Sequence, residues 1–92
     1  MILKAVVPAK RSKRVVQQID TPLTPAIARA LNGADMLIVQ KVFVNGKNIL
    51  SLSLKLPTAL RMIIGQTISS GTIVLELYNP TARTVVGEIE IT

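Results

Sequence analysis

The dipeptide Asn45-Gly46 lies between two β-prone runs within residues 36–56. It is the tightest local constraint in the chain, because a two-residue type I′ hairpin loop requires positive φ at both central positions and this pair adopts it readily. If these two residues form the loop, Val44 pairs with Lys47, Val42 with Ile49, Val39 with Leu52 and Leu37 with Leu54. Alternation along a strand then places Leu37, Val39, Phe43, Leu50, Leu52 and Leu54 on one face, the expected core. The other face mixes Met36, Ile38, Val42, Val44 and Ile49 with Gln40, Ser51, Ser53 and Lys55. A solvated face would be polar, so this half-aliphatic one is expected to be covered. The cover is either the N-terminal strand or the helix of the same chain, or a neighbouring subunit, in which case Met36, Ile38, Val42, Val44 and Ile49 form an oligomer face. A three-residue bulged loop would shift the register by one and void this assignment.

The rest of the chain is punctuated in the same way. Ile2 to Val7 is β-prone and stops at Pro8, as an edge strand would. Lys10-Arg11-Ser12-Lys13-Arg14 follows, a basic loop feeding a strand or extended arm through Val15 to Ile19. Thr24 suits a helix N-cap, Pro25 the first helical position and Gly33 the left-handed residue after the end, so a short helix is expected near residues 24–32, with Ile27 and Leu31 on one face. In residues 57–65, Pro57-Thr58-Ala59 suits the opening of a single helical turn and Arg61-Met62-Ile63-Ile64 a short strand ending at Gly65, so a connection with a short strand is expected.

Ser69-Ser70-Gly71 and Asn79-Pro80-Thr81 mark turns on either side of a cleanly alternating run, with Ile73, Leu75 and Leu77 inward. Residues 84–92 alternate too, with Val85, Ile89 and Ile91 inward and Val86, Glu88 and Glu90 outward, and the two runs are expected to pair as a second hairpin. Six to seven short strands and one helix predict a mainly β chain, an antiparallel β-sandwich or partly open barrel. Residues 1–92 are read as a single β domain in which 1–20 is an extended basic arm or edge strand, since a chain of this length has room for one core.

Composition narrows function mainly by exclusion. The chain has no cysteine and no histidine, which removes thiolate nucleophiles, imidazole bases and the commonest zinc ligands. Asp20, Asp35, Glu76, Glu88 and Glu90 are its five acidic residues, and none pairs convincingly for acid and base roles. Glu88 and Glu90, two apart on one strand, read as solubility and edge protection rather than a cation site. Gly65 to Gly71 lacks the lysine and spacing of a phosphate loop and reads as turn chemistry. No enzyme, cofactor or metal is expected. Mean hydropathy is high at +0.48, yet the longest purely aliphatic stretch is Met36-Leu37-Ile38-Val39, far short of the roughly 20 residues a transmembrane helix needs. Lys4 interrupts the N-terminal apolar run, so no signal peptide is expected, and the cytoplasm or a virion is the expected location.

A net charge of +6 implies attraction to polyanions or acidic surfaces. Lys10, Arg11, Lys13 and Arg14 are its one concentrated source, open to three readings: phosphate contact in nucleic acid, contact with an acidic protein partner, or plain solvation. Only Phe43 and Tyr78 are aromatic, which alone are too few for the base-stacking platform that single-strand binders use, and Phe43 is in addition assigned to the core.

The segment Gly71-Thr-Ile-Val-Leu-Glu-Leu-Tyr-Asn-Pro-Thr-Ala-Arg-Thr-Val-Val-Gly-Glu-Ile-Glu-Ile resembles paired strands of immunoglobulin-like or jelly-roll-like β-sandwiches. In size, missing cysteine and basic N-terminal segment, the whole chain is similar to small structural or accessory proteins of virus particles, including bacteriophage ones. That resemblance implies a non-enzymatic, capsid-associated structural protein that forms a homo-oligomer or docks on a larger protein assembly, its arm binding neighbours or the genome. The alternative is a nucleic-acid-binding module using Lys10 to Arg14.

Overall fold

The computed structural model describes residues 2–19, 28–64 and 71–91. Those residues form eight strands: β1 Ile2–Val7, β2 Ser12–Ile19, β3 Ala28–Ala30, β4 Ile38–Val44, β5 Lys47–Leu50, β6 Leu54–Lys55, β7 Gly71–Tyr78 and β8 Val85–Ile91. A 3-10 turn covers Ala34–Met36, and one α-helix, α1, covers Leu56–Ile64. The strands make two antiparallel sheets, one ordered β1-β8-β3 and the other β2-β7-β4-β5, with β6 paired to the remaining part of β4. The expected mainly β, two-sheet architecture is the one that forms.

The two cleanest alternating runs become the inner strands of the two sheets. Ile73, Leu75 and Leu77 on β7 and Val85, Ile89 and Ile91 on β8 are buried, because a strand paired on both sides has one face left to solvent and one to the core. They do not pair with each other, as the expected second hairpin required. β7 pairs with β2 and β4, and β8 with β1 and β3. The pairs β1/β8 and β2/β7 thus form one long antiparallel ribbon that bends from one sheet into the other at the connections 8–11 and 79–84, a corner of the kind that lets strands change sheets.

Asn79 fills that corner. Its side chain is fully buried, and its Nδ2 donates to the carbonyls of Val7 and Arg83 at 2.9 and 2.6 Å. Its Oδ1 accepts from the Thr81 backbone N–H and hydroxyl, and its own N–H donates to Arg11 O at 3.0 Å. A turn reading of Asn79-Pro80 is therefore right about the local bend and silent about what the bend connects.

The expected helix near residues 24–32 does not extend through its second half. Ala28–Ala30 is strand β3, and the pairing with β8 continues as Leu31 N–H to Glu88 O and Glu88 N–H to Asn32 O; Thr24, Pro25 and Ile27 lie outside the described residues. Gly33 does take positive φ, 66°, but to open the 3-10 turn rather than to close an α-helix. The α-helix sits instead at residues 56–64, where a connection with a short strand was expected. Leu56, Ala59, Leu60 and Ile63 fall at helical spacing and are all buried, and Pro57 stands in the first turn, where its missing N–H costs nothing. α1 packs on β3, the 3-10 turn and β4.

The hairpin turn forms as expected, with Asn45 and Gly46 at φ 51° and 82° and Val44 opposite Lys47. The register beyond it differs. A bulge between Val42 and Phe43 brings Val42 opposite Leu50, and farther along the strand Val39 meets Leu54. A second irregularity, between Val39 and Lys41 on the β7 side, has the larger consequence. One extra residue inverts inside and outside for everything that follows.

Candidate nucleic-acid interface

That inversion decides which side chains the five-stranded sheet presents outward. Val39 is inward before the bulge; after it, Val42 and Val44 are inward and Phe43 is outward. Val42 is 0% exposed, and Val44, Ile49, Leu50 and Leu54 pack against the core. The expected oligomer face of Met36, Ile38, Val42, Val44 and Ile49 is thereby divided. Val42 belongs to the core and Val44 and Ile49 lean on it, Ile38 faces outward on β4, and Met36 is exposed in the 3-10 turn. Of the expected core face, Leu37 and Val39 are buried, Leu52 is 61% exposed, and Phe43 is half-buried on the opposite side of the sheet.

Strand register lays out the outer face of this sheet in rows. One row runs Ser12, Tyr78, Ile38, Lys55; the next Arg14, Glu76, Lys41; the third Val16, Val74, Phe43, Asn48; and Gln18 and Thr72 follow. Successive rows stand about 7 Å apart, two residues of strand. Both aromatic residues of the chain are on this face, in the rows that flank the charged one.

Two contacts tie the rows together. Arg14 Nε and Nη2 donate to Glu76 Oε1 at 3.1 and 3.0 Å, and the Arg14 guanidinium lies 5.7 Å from the centroid of the Phe43 ring. The arginine therefore spans from the charged row to the aromatic one, although it is two strands away from Phe43. Exposure of Arg14 keeps the ion pair weak, worth up to about 1 kcal/mol.

The basic run is not a free loop. Lys10 sits in the turn between β1 and β2 with positive φ, and its Nζ donates to Pro80 O. Lys13 Nζ donates to Val6 O at 3.2 Å, and Arg14 makes the contacts above. Strand β2 begins at Ser12, so the basic side chains are fastened along an edge of the five-stranded sheet, beside the corner, with Arg11 exposed there.

Charge divides unevenly between the two layers. Lys10, Arg11, Lys13, Arg14, Lys41, Lys47 and Lys55 lie in the five-stranded sheet or the turn entering it, where the described residues include a single carboxylate, Glu76. Elsewhere Lys4, Arg29, Arg61 and Arg83 are set against Asp35, Glu88 and Glu90. On the three-stranded sheet Lys4 stands opposite Glu88 and Arg29 opposite Glu90, an arrangement that cancels charge locally.

Sequence reasoning located Lys10 to Arg14 but missed Phe43, Tyr78, Lys41, Lys55 and Glu76 as their companions. The missing signal was the bulge, because uninterrupted alternation from Val39 sends Phe43 inward. Two polar residues in succession, Gln40-Lys41, between apolar runs of the strand were the one available hint of it. Among the described residues no three His, Cys, Asp or Glu cluster as metal ligands would, and no helix is long and apolar enough to cross a membrane. No family model, curated protein or solved structure matches this chain.

Proposed function

We propose that this chain is a non-enzymatic binding domain that holds nucleic acid on the outer face of its five-stranded sheet. The observation supporting this reading is the charge division among the described residues: seven basic residues and one carboxylate lie in the five-stranded sheet or the turn entering it, with Arg14, Lys41 and Lys55 on its outer face, and charge is near balance elsewhere. Concentrating cations on one layer creates a field that attracts a polyanion to that layer, and each phosphate neutralised there releases counterions. The outward Phe43 answers one part of the sequence-based objection to nucleic acid, its assignment to the core, while the number of aromatic residues stays at two. The test is fluorescence anisotropy of a labelled oligonucleotide titrated with the chain across a salt series. A log–log salt slope of several units is expected, together with weakening when Lys41 and Lys55 are changed to Gln. Lack of binding at about 50 mM salt, or binding indifferent to salt, would refute the reading.

A second reading, a structural protein that self-associates or docks on a larger assembly such as a virus particle, is supported by a different surface. Ile2, Val6 and Val86 are exposed apolar residues on the outer face of the three-stranded sheet. Val6 and Val86 are cross-strand partners, and Val86 and Met36 line one side of a shallow groove. Size exclusion with light scattering tests it: a discrete oligomer at high salt, lost on Val6→Lys with Val86→Lys, is the expected result, and a monomer at all salt concentrations counts against it.

A further inference from the structure

We infer that the ligand of the five-stranded face is single-stranded nucleic acid, held by base stacking on Phe43 and Tyr78 with Arg14 and Lys41 meeting the phosphates between them. This rests on the nucleic-acid reading above and adds the strandedness and the residues. Stacking needs an unpaired base with a free face, which a duplex interior does not offer, whereas phosphate contacts alone would accept either form. The two rings lie two rows apart, about 13 Å along the strand direction. Stacked neighbours in a duplex are about 3.4 Å apart, so a strand engaging both rings must be extended, with its bases splayed.

Between the rings lies the row Arg14, Glu76, Lys41, which puts two cations where the backbone linking the two bases would pass. Phe43 also already accepts a planar cation, the Arg14 guanidinium at 5.7 Å. A π-face that accommodates a flat guanidinium suits a flat base, and Arg14, freed from Glu76, can then turn to a phosphate. The apolar outward groups on these rows, Val16, Val74 and Ile38, provide surface against which sugars and bases can lie.

The experiment compares fluorescein-labelled oligo(dT) with a duplex of equal length on the full chain, and on Phe43→Leu, Tyr78→Leu and Tyr78→Phe variants checked by thermal melting. Leucine keeps the packing of these half-buried positions while removing the ring. Oligo(dT) is expected to bind at least tenfold more tightly than duplex. Each leucine variant should weaken oligo(dT) about tenfold and duplex less than about twofold, while Tyr78→Phe retains binding. Equal affinity for both forms, or leucine variants that bind oligo(dT) unchanged, overturns the stacking inference and leaves the nucleic-acid reading standing. Failure of both probes to bind at low salt overturns both.

Discussion

Asn79 Nδ2 donates to Val7 O at 2.9 Å, and this bond fastens the crossing from β7 to β8 onto the end of β1. The same amide also reaches Arg83 and Thr81, so one buried side chain serves both connections at the corner where the bent ribbon changes sheets. Lys10 Nζ on Pro80 O and Lys13 Nζ on Val6 O add cationic tethers across the same corner. The basic segment and the sheet-to-sheet bend are therefore one structural unit, and the direction of β2 along the proposed interface depends on it.

Among the described residues, replacing Asn79 should be the most damaging single polar change. Asn79→Ala removes a buried amide and its bonds to the Val7 and Arg83 carbonyls and to Thr81, at a cost of about 2 to 3 kcal/mol. Asn79→Asp keeps the shape but loses both N–H donors and adds a buried charge, so it should destabilise at least as much at neutral pH. Urea unfolding followed by far-UV circular dichroism measures both, and a loss below about 1 kcal/mol for either would contradict the role assigned to the corner.

Gly33 and Gly46 both have left-handed φ, yet alanine should be tolerated very differently at the two. At Gly46 an added Cβ meets nothing within 4 Å, leaving a conformational penalty of about 1 kcal/mol. At Gly33 it would fall 2.3 Å from the Val86 carbonyl oxygen, part of the β8 backbone and unable to move aside without disturbing the sheet. Thermal melts should therefore rank Gly33→Ala well below Gly46→Ala.

Val42 and Val16 test the inversion at the bulge. Val42→Ala removes fully buried methyl groups and should cost about 2 to 3 kcal/mol, transfer and cavity together. Val16 is 65% exposed, and Val16→Ala should stay within about 0.5 kcal/mol. Similar losses at the two sites, measured by chemical denaturation, would mean that Val42 does not point inward.

Glu76→Gln removes the carboxylate that holds Arg14. Stability should change by no more than about 1 kcal/mol, since the ion pair is exposed. Affinity for oligo(dT) should rise several-fold, and the log–log salt slope should steepen by about 0.7 as one more cation becomes available to phosphate. Anisotropy at several salt concentrations reads both quantities, and unchanged binding would remove Arg14 and Glu76 from the interface.

Local chemistry in the sequence settled whatever depends on a few neighbouring residues. Asn45-Gly46 specified its turn because both positions need positive φ, and alternation in residues 73–77 and 85–91 specified which side chains are buried because the pleat has a period of two. The same reasoning could have found α1, since Leu56, Ala59, Leu60 and Ile63 repeat at helical spacing after Leu54-Lys55 ends the strand pattern. Tertiary structure decided the rest. Alternation assigns a strand a buried face but no partner, so β7 and β8 were free to join different sheets across Asn79. Propensity near residues 28–30 gave way to the open edge of β8, whose hydrogen-bonding groups reward an added strand more than a short helix rewards itself. The irregularity between Val39 and Lys41 turned Phe43 onto the face that carries Tyr78 and Arg14, and no local rule could place three residues so far apart in sequence on one face.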